Sequence, residues 1–554
     1  MGTVGALGIG NLPVHDVVGC ASLILVPMFK DTLVVAIGTA VSRLTGLLRV
    51  VVFGVIIGQT ALADAFDGAN NSPNSIYELL VGGLLAASLV PMFTRFAEDE
   101  DEESTDAVVS ASLVFLLVAT VIAVLAAPLI FRVFSLHPSP AVNPDTFRKA
   151  GTMMSRIFLV QIFFYGLTAV GSALLNSRRR FFAAAWAPAL SNVVTITLLM
   201  LIPFTRDGTP KLQDVFHDRT FFWLFTMSAT GGIMAMGLVL LPALKRAGIP
   251  FRFRPDFRHP AVRTMVGLSS WTFGYVVTNQ IALIVVKNLA RPGSGNQDAY
   301  SKAYTFFQLP HGLLAISIAT TFVPEMVRRV RAGDPGGFRQ WTTSGVRWIM
   351  ILTVPSSIAM VILSKPIIVT LLEHGHFSSS ASTNTARALA GLAVGLAGFS
   401  IYIFALRGFY AHEDTRTPFI INVVENALNI AFAVALVNRY GVLGLGLAFG
   451  IAYMISSVLV LWVLHTKYGA VDWSRLASIT WRTVAASSAM GAAVWGIQNG
   501  LHAESGYTQL AELFISVAAG LVLYVAGLLV LRVPEMHDAR SLLPRRASDV
   551  GADA

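Results

Sequence analysis

The stretch whose reading decides the fold runs from Val41 to Pro91: VSRLTGLLRVVVFGVIIGQTALADAFDGANNSPNSIYELLVGGLLAASLVP. It is apolar enough to sit in a bilayer, yet it carries Arg43, Arg49, Asp64, Asp67 and Glu78 within two hydrophobic segments. A charge at that depth costs roughly 2.5–3.5 kcal/mol on insertion scales, so it faces a partner or a watery cavity. Asp64, Asp67, Asn71, Asn74 and Glu78 are spaced 3, 4, 3 and 4 residues apart, which places them on one face of a helix. That face is polar and its flanks are Ala, Phe, Ile and Leu. The pattern predicts one wall of a solvated cavity inside an all-α, polytopic membrane protein.

Composition agrees. The 554 residues are 55% hydrophobic and 13% charged, against about 25% charged in soluble domains, and mean hydropathy is +0.66. Cys20 is the one cysteine, which excludes a disulfide framework or a Cys-rich metal site. A net charge of +9 would suggest nucleic acid in a soluble protein, but here the loops account for it. The sequence has no P-loop, no metal-ligand cluster and no nucleophile beside a base, so no enzyme chemistry, cofactor or metal is expected. Glu373, His374 and His376 in EHGHF read as an outer loop.

A helix that spans the hydrocarbon takes about 20 apolar residues. Fourteen segments are predicted, near 31–58, 62–95, 106–134, 146–176, 181–204, 220–244, 261–291, 298–328, 341–373, 383–411, 417–438, 442–466, 476–499 and 509–532. Residues 1–30 read as a short leader, with MFKDTL from Met28 resembling a natural start. Basic residues concentrate after even-numbered segments: Arg178–Arg180, then Lys245, Arg246, Arg252, Arg254 and Arg258, then Arg328, Arg329, Arg331 and Arg339, and later Lys467, Arg475, Arg540, Arg545 and Arg546. The positive-inside rule therefore places both termini in the cytoplasm. The acidic run EDEDEES after Phe96 reads as a solvated loop on that side.

An internal repeat is legible. SLVPMFTR and TTFVPEMVRR place Pro91 and Pro324 in register, 233 residues apart, and Asn192 and Asn426 lie 234 apart within two similar connections. Six-helix halves of equal orientation follow, as in transporters that bind substrate between parallel repeats. The units are a leader (1–30), an N-lobe (31–244), a C-lobe (245–466), two further helices (467–532) and a cytoplasmic tail (533–554).

Arg43 and Arg49 lie six residues apart, about 120° around a helix. Their guanidinium groups either reach the cavity, where two of them suit an anionic headgroup, or snorkel to the interface. Asp64 and Asp67 have three readings: pairs for those arginines, a coupling-ion site, or a protonation switch. Pro73 is a kink candidate, with Gly82 and Gly83 as a second flexible point. In the second half Lys302, Gln308, His311 and Pro310, the stripe Asn422, Glu425, Asn426 and Asn429, and the pair Gln280 and Lys287 are weaker echoes. Helix–helix hydrogen bonding is the competing reading for each.

At these residues the sequence resembles the MurJ/MviN family of lipid II flippases, in the MOP superfamily that also holds MATE-type exporters. The resemblance rests on SRLTGLLR, ADAF, Pro73–Asn74 leading to GG and LVP, ALLNSRRRF with APALSN, FQLPHGLLAISIATTFVPEM and LRGFYAHEDTRTP, in order across about 31–532. It implies fourteen helices in two lobes around a partly cationic cavity, with a groove at the last two helices for the polyprenyl tail. The implied substrate is undecaprenyl-pyrophosphoryl disaccharide-peptide, moved from the inner to the outer leaflet of the cytoplasmic membrane for peptidoglycan synthesis. Arg43 and Arg49 match the family's basic pair and Asp64 its aspartate. This chain has Tyr77–Glu78 and Thr305 where many members carry arginine, and the form resembles the actinobacterial branch, in which Lys302 supplies a replacement charge.

The expected headgroup site is thus Arg43, Arg49, Lys302, Asn71 and Asn74, gated by Asp64, Asp67, Glu78 and Pro73. Expected partners are lipid II, membrane lipids, cell-wall synthesis or division proteins, and a coupling ion or the membrane potential. A MATE-like H+/Na+-coupled exporter is the rival, along with a flippase for another lipid-linked oligosaccharide and a non-transporting scaffold. The topology predicts that a green fluorescent protein fused after Ala554 fluoresces and that alkaline phosphatase inserted after Asp207 is active. The reverse pattern would overturn the assigned orientation.

Overall fold

Hydrocarbon offers backbone groups no water to bond with, so each crossing closes its hydrogen bonds within a helix. The computed structural model describes residues 14–82, 86–249, 251–262, 270–500 and 506–535, and among these no strand occurs. The first half contains α1 (Val14–Ile57), α2 (Ala61–Tyr77), α3 (Ala86–Glu98), α4 (Glu102–Leu125), α5 (Ala127–Val133), α6 (Pro144–Phe158), α7 (Gln161–Ser177), α8 (Phe181–Leu201), α9 (Asp214–His217), α10 (Arg219–Leu238) and α11 (Leu240–Arg246). The second contains α12 (Ser270–Leu289), α13 (Asn296–Pro310), α14 (Ile316–Arg331), α15 (Pro335–Ile362), α16 (Ser364–Leu372), α17 (Ser379–Val394), α18 (Leu396–Ala411), α19 (Arg416–Tyr440) and α20 (Val442–Tyr468). The last pair is α21 (Trp473–Gly500) and α22 (Gly506–Val530).

Helix occupies every predicted segment, but among the described residues ten helices are long and apolar enough to cross a membrane. An eleventh is counted if α17 and α18, bent by 48°, form one span. The difference from fourteen lies in helices that spend length on polarity. The second segment is interrupted by a π-turn at Glu78–Gly82, α12 carries Lys287 in its last turn, and α21 is rich in Ser, Thr and Arg. The first helix runs unbroken from Val14 to Ile57, through Met28. Residues 1–13, Gly83 and the tail beyond Glu535 lie outside the described residues.

The repeat is built into the bonding. Asn192 on α8 donates to Thr45 Oγ1 on α1 at 3.1 Å, and Asn426 on α19 donates to Asn279 Oδ1 on α12 at 3.0 Å. Donor and acceptor are both displaced by 234 residues. The π-turns at Glu78–Gly82 and His311–Ala315 are displaced by 233, like Pro91 and Pro324. Pro73 does not break α2, which continues to Tyr77, so the distortion falls at the π-turn that follows.

Buried apolar side chains segregate the same way. Four clusters draw on residues 52–262 and the fifth on residues 286–533, with Leu47, Val50 and Val51 of α1 packed against its edge. α21 lies along α15, and Tyr524 of α22 donates to the Ile351 carbonyl at 2.6 Å. At the α18–α19 turn Asp414 accepts from Lys467 Nζ at 2.6 Å and from Thr417 N at 3.0 Å. Partial burial would raise this carboxyl, but those hydrogen bonds outweigh it and hold it at about 2.

Small residues let backbones touch where α17 and α18 cross α20. A Cβ on Gly446 would meet Ala388 O at 2.6 Å and Leu392 N at 2.9 Å. Backbone atoms cannot swing aside, so Gly446→Val should lower stability by about 1–3 kcal/mol. The melting transition of the purified protein in detergent checks this, and an unchanged midpoint would contradict it.

Candidate functional site

Between the two sets of helices lies a cavity of about 620 Å³. Arg49 and Phe53 of α1 line it, with Asp67, Asn70, Asn71, Asn74 and Glu78 from the second segment and Tyr165 from α7. The facing wall comprises Asn279, Gln280 and Lys287 of α12, Asp298 to Gln308 of α13, Asn426 and Asn429 of α19, and Phe449 and Tyr453 of α20. Asp64 and Ser72 are fully buried while Arg43, Arg49 and Glu78 are exposed, so the cavity opens at the end opposite Asp64.

Asp64 closes that far end. Its Oδ2 accepts the backbone N–H groups of Gly293 and Gly295, both at 2.8 Å, and its Oδ1 accepts that of Asp298 at 2.9 Å. One carboxylate on α2 thus caps α13 of the other lobe and fixes the α12–α13 turn, with the helix N-terminus favouring the negative charge. Gly293 and Gly295 have φ of 91° and 84°, and a Cβ on Gly295 would meet Gln59 Cγ at 2.9 Å, so glycine is required for the turn to reach the carboxylate. Other joins surround the lock. His376 donates its backbone N–H to Val55 O at 2.8 Å, and Ser139 donates to Pro292 O at 2.8 Å. Gln59 donates its Nε2 to Thr385 Oγ1 at 3.2 Å.

Farther along the same face, Asp67 forms an ion pair with Lys287, whose ammonium also reaches Ser301. Asn71 donates to Asp67 Oδ1 at 3.0 Å and steadies it. Glu78 accepts from Gln280 at 2.9 Å. The polar stripe of the second segment is therefore a join between lobes as well as a cavity wall. Asp64 and Asp67 do not pair with Arg43 and Arg49, as one reading of the sequence has it, because the opposite lobe supplies nearer donors. Lys302 differs from expectation too. It is buried in an ion pair with Asp298, between the rings of Phe53 and Phe377 at 4.9 and 5.7 Å, so its charge is already neutralised.

Arg49 is different. Among the described residues it forms no ion pair, and it faces the cavity with Asn74 and Tyr165 on the neighbouring wall. Arg43 does not line the cavity as described. It lies two turns nearer the open end, exposed, with its guanidinium carbon 3.6 Å from the position of a Cβ on Gly312. Acidic and basic side chains of the lining are equal in number, with Arg49, Lys287 and Lys302 against Asp67, Glu78 and Asp298. Asp298 and Asn279 were not singled out in the sequence. The repeat offset of 234 pairs them with Asp64 and Thr45 and is the signal that finds them.

His376 Nδ1 lies 2.9 Å from Ile56 O and His374 Nε2 lies 3.1 Å from Thr370 O, so both rings are engaged by backbone. Among the described residues no group of three metal-ligating side chains converges.

A sequence profile described as "Lipid II flippase MurJ" matches residues 53–516. The chain is similar to the lipid II flippase MurJ of Burkholderia cenocepacia, at 28% identity over 78% of this chain and 83% of that one. Its fold is similar to a solved "Lipid II flippase MurJ, inward closed conformation", with a TM-score of 0.72, 21% identity, and coverage of 90% of this chain and 99% of that one. It is also similar to an inward-facing MATE family transporter of the MOP superfamily, with a TM-score of 0.58, 14% identity, and coverage of 78% and 98%.

The lock has a direct test. An amide oxygen at position 64 accepts at most two hydrogen bonds, so Asp64→Asn leaves at least one buried N–H unpaired, at about 1–3 kcal/mol. In a Cys20→Ala background, a Thr305→Cys reporter in the cavity should react several-fold faster with an impermeant thiol reagent added outside when Asp64→Asn is present. An unchanged rate would remove Asp64 from the closure.

Proposed function

The chain belongs to the MurJ family of lipid II flippases, and we propose that it carries lipid II from the inner to the outer leaflet of the cytoplasmic membrane by alternating access of the central cavity. It is a multi-pass membrane transporter with the MOP-superfamily fold. The observation that carries the proposal is a polar-lined cavity sealed at one end by Asp64 and holding, in Arg49, a cation that forms no ion pair among the described residues.

In this reading Arg43 meets the pyrophosphate at the cytoplasmic mouth and Arg49 receives it inside, through bidentate charge-assisted hydrogen bonds. Asn71 and Asn74 line the path of the headgroup. Lys287 and Lys302 stay with Asp67 and Asp298, keeping the far wall neutral. Asp64, Asp67 and Glu78 form the gate, which opens outward when their bonds to the α12–α13 region are exchanged for water. Pro73 precedes the π-turn that lets the lower half of the second segment move separately. Moving an anionic headgroup toward the positive side of the membrane gains about 2.3 kcal/mol per charge per 100 mV, so the potential itself supplies a drive.

Complementation of a strain depleted of its lipid II flippase tests this. The wild type should restore growth at matched expression, Arg49→Ala should fail, and Lys302→Met, which keeps the length of the chain while removing its charge, should retain more activity than Arg49→Ala. Rescue by Arg49→Ala would remove that arginine from the site, and failure of a well-expressed wild type would turn the substrate toward another lipid-linked sugar.

A further inference from the structure

A second pocket, of about 360 Å³, lies outside the central cavity, between the first turns of α15 and α21. Arg339, Arg347 and Arg475 line it, together with Gln340, Thr343 and Ser344. These positions are far apart in sequence and converge because α21 lies along α15. The loops that lead into both helices follow even-numbered segments, the side assigned to the cytoplasm by its basic residues.

The donors in this pocket exceed the acceptors. Arg339 gives its Nε to Gly469 O at 2.7 Å, which orients the guanidinium and leaves both Nη groups without a hydrogen-bond partner among the described residues. Arg347 pairs through Nη2 with Glu535, while its Nε is buried with no partner among the described residues. Arg475 Nε lies 3.2 Å from Asp472 Oδ2. Thr343 accepts the Asp472 N–H at 3.1 Å, so its own O–H remains to donate. Three guanidinium groups thus face one lining carboxylate, Asp472, with Glu535 behind Arg347. An excess positive charge with unfilled N–H positions, enclosed on two sides by helices, is chemistry that suits a tetrahedral oxyanion.

We propose that this pocket binds a phosphate group, supplied by the headgroup of an anionic phospholipid in the cytoplasmic leaflet. Position favours that source. Trp473, beside Asp472, is 39% exposed and Trp481, two turns on, is 55% exposed, as expected of side chains at the membrane–water interface. Beyond them the outward faces of α21 and α22 present Val484, Trp495, Leu521 and Val522, an apolar surface along which acyl chains lie. Basic pockets between membrane helices on this side recognise such headgroups. A bound phosphate would bridge the start of α15 to the start of α21 and fasten the last two helices to the second lobe. This site is separate from the flippase cavity and does not depend on it.

The test uses the purified full-length protein in detergent, with native mass spectrometry after addition of cardiolipin or phosphatidylcholine. The wild type should retain cardiolipin under conditions that strip phosphatidylcholine. Arg339→Ala/Arg475→Ala, which leaves the Arg347–Glu535 pair intact, should lower cardiolipin occupancy about ten-fold. Asp472→Asn removes the competing carboxylate yet keeps a side chain that can cap α21, and it should raise occupancy, a gain that misfolding cannot produce. A second arm measures stabilisation of lipid-free protein by millimolar inorganic phosphate. Loss of that stabilisation in the double variant, with cardiolipin occupancy unchanged, would keep the phosphate site and overturn the lipid as its source. Equal behaviour of all three proteins in both arms would overturn the proposal.

Discussion

A carboxylate buried inside a membrane protein must be satisfied, and Asp64 is satisfied entirely by backbone N–H groups of the opposite lobe. Hydrogen bonds to a charged acceptor are worth about 1.5–3 kcal/mol each. Three on one side chain make the α12–α13 turn the firmest join between the halves. The glycine conformations at 293 and 295 exist to bring those N–H groups within reach. From this end the same helix face continues through Asp67–Lys287 to Glu78–Gln280. The joins progress from buried carboxylate to ion pair to a single part-buried hydrogen bond, so the lobes are held tightly at one end and loosely at the other. That gradient is what alternating access requires of the closed end.

Electroneutrality organises the cavity. Lys287 and Lys302 each face a carboxylate at hydrogen-bonding distance, so neither offers a free charge to a ligand. Their burial without partners would cost far more than their pairing gains. Arg49 stands outside this compensation and faces the cavity instead.

The two halves solve the same packing problem twice. An asparagine on the fifth helix of each half reaches its first helix, through Asn192–Thr45 and Asn426–Asn279. Each half also carries a π-turn 13 residues before its repeated proline, at Glu78 before Pro91 and at His311 before Pro324. Divergence lies in what the repeats carry at the centre. Asp64 caps the opposite lobe, whereas its counterpart Asp298 pairs with Lys302.

The sequence by itself determined the membrane class, the helical fold, the repeat and the polar face of the second segment. These rest on hydropathy and periodicity, which are properties of neighbours along the chain. Six of the nine expected site residues, Arg49, Asp67, Asn71, Asn74, Glu78 and Lys302, line the cavity. Which charge meets which partner was decided only by tertiary structure. Asp64 is spaced to face Arg43 or Arg49, yet it bonds to a turn 229 residues or more away, and Lys302 is cancelled by a carboxylate one helical turn behind it. Spacing tells which side chains share a face. Compensation of a buried charge depends on what the other lobe brings within 3 Å, and that is set by how the two lobes pack.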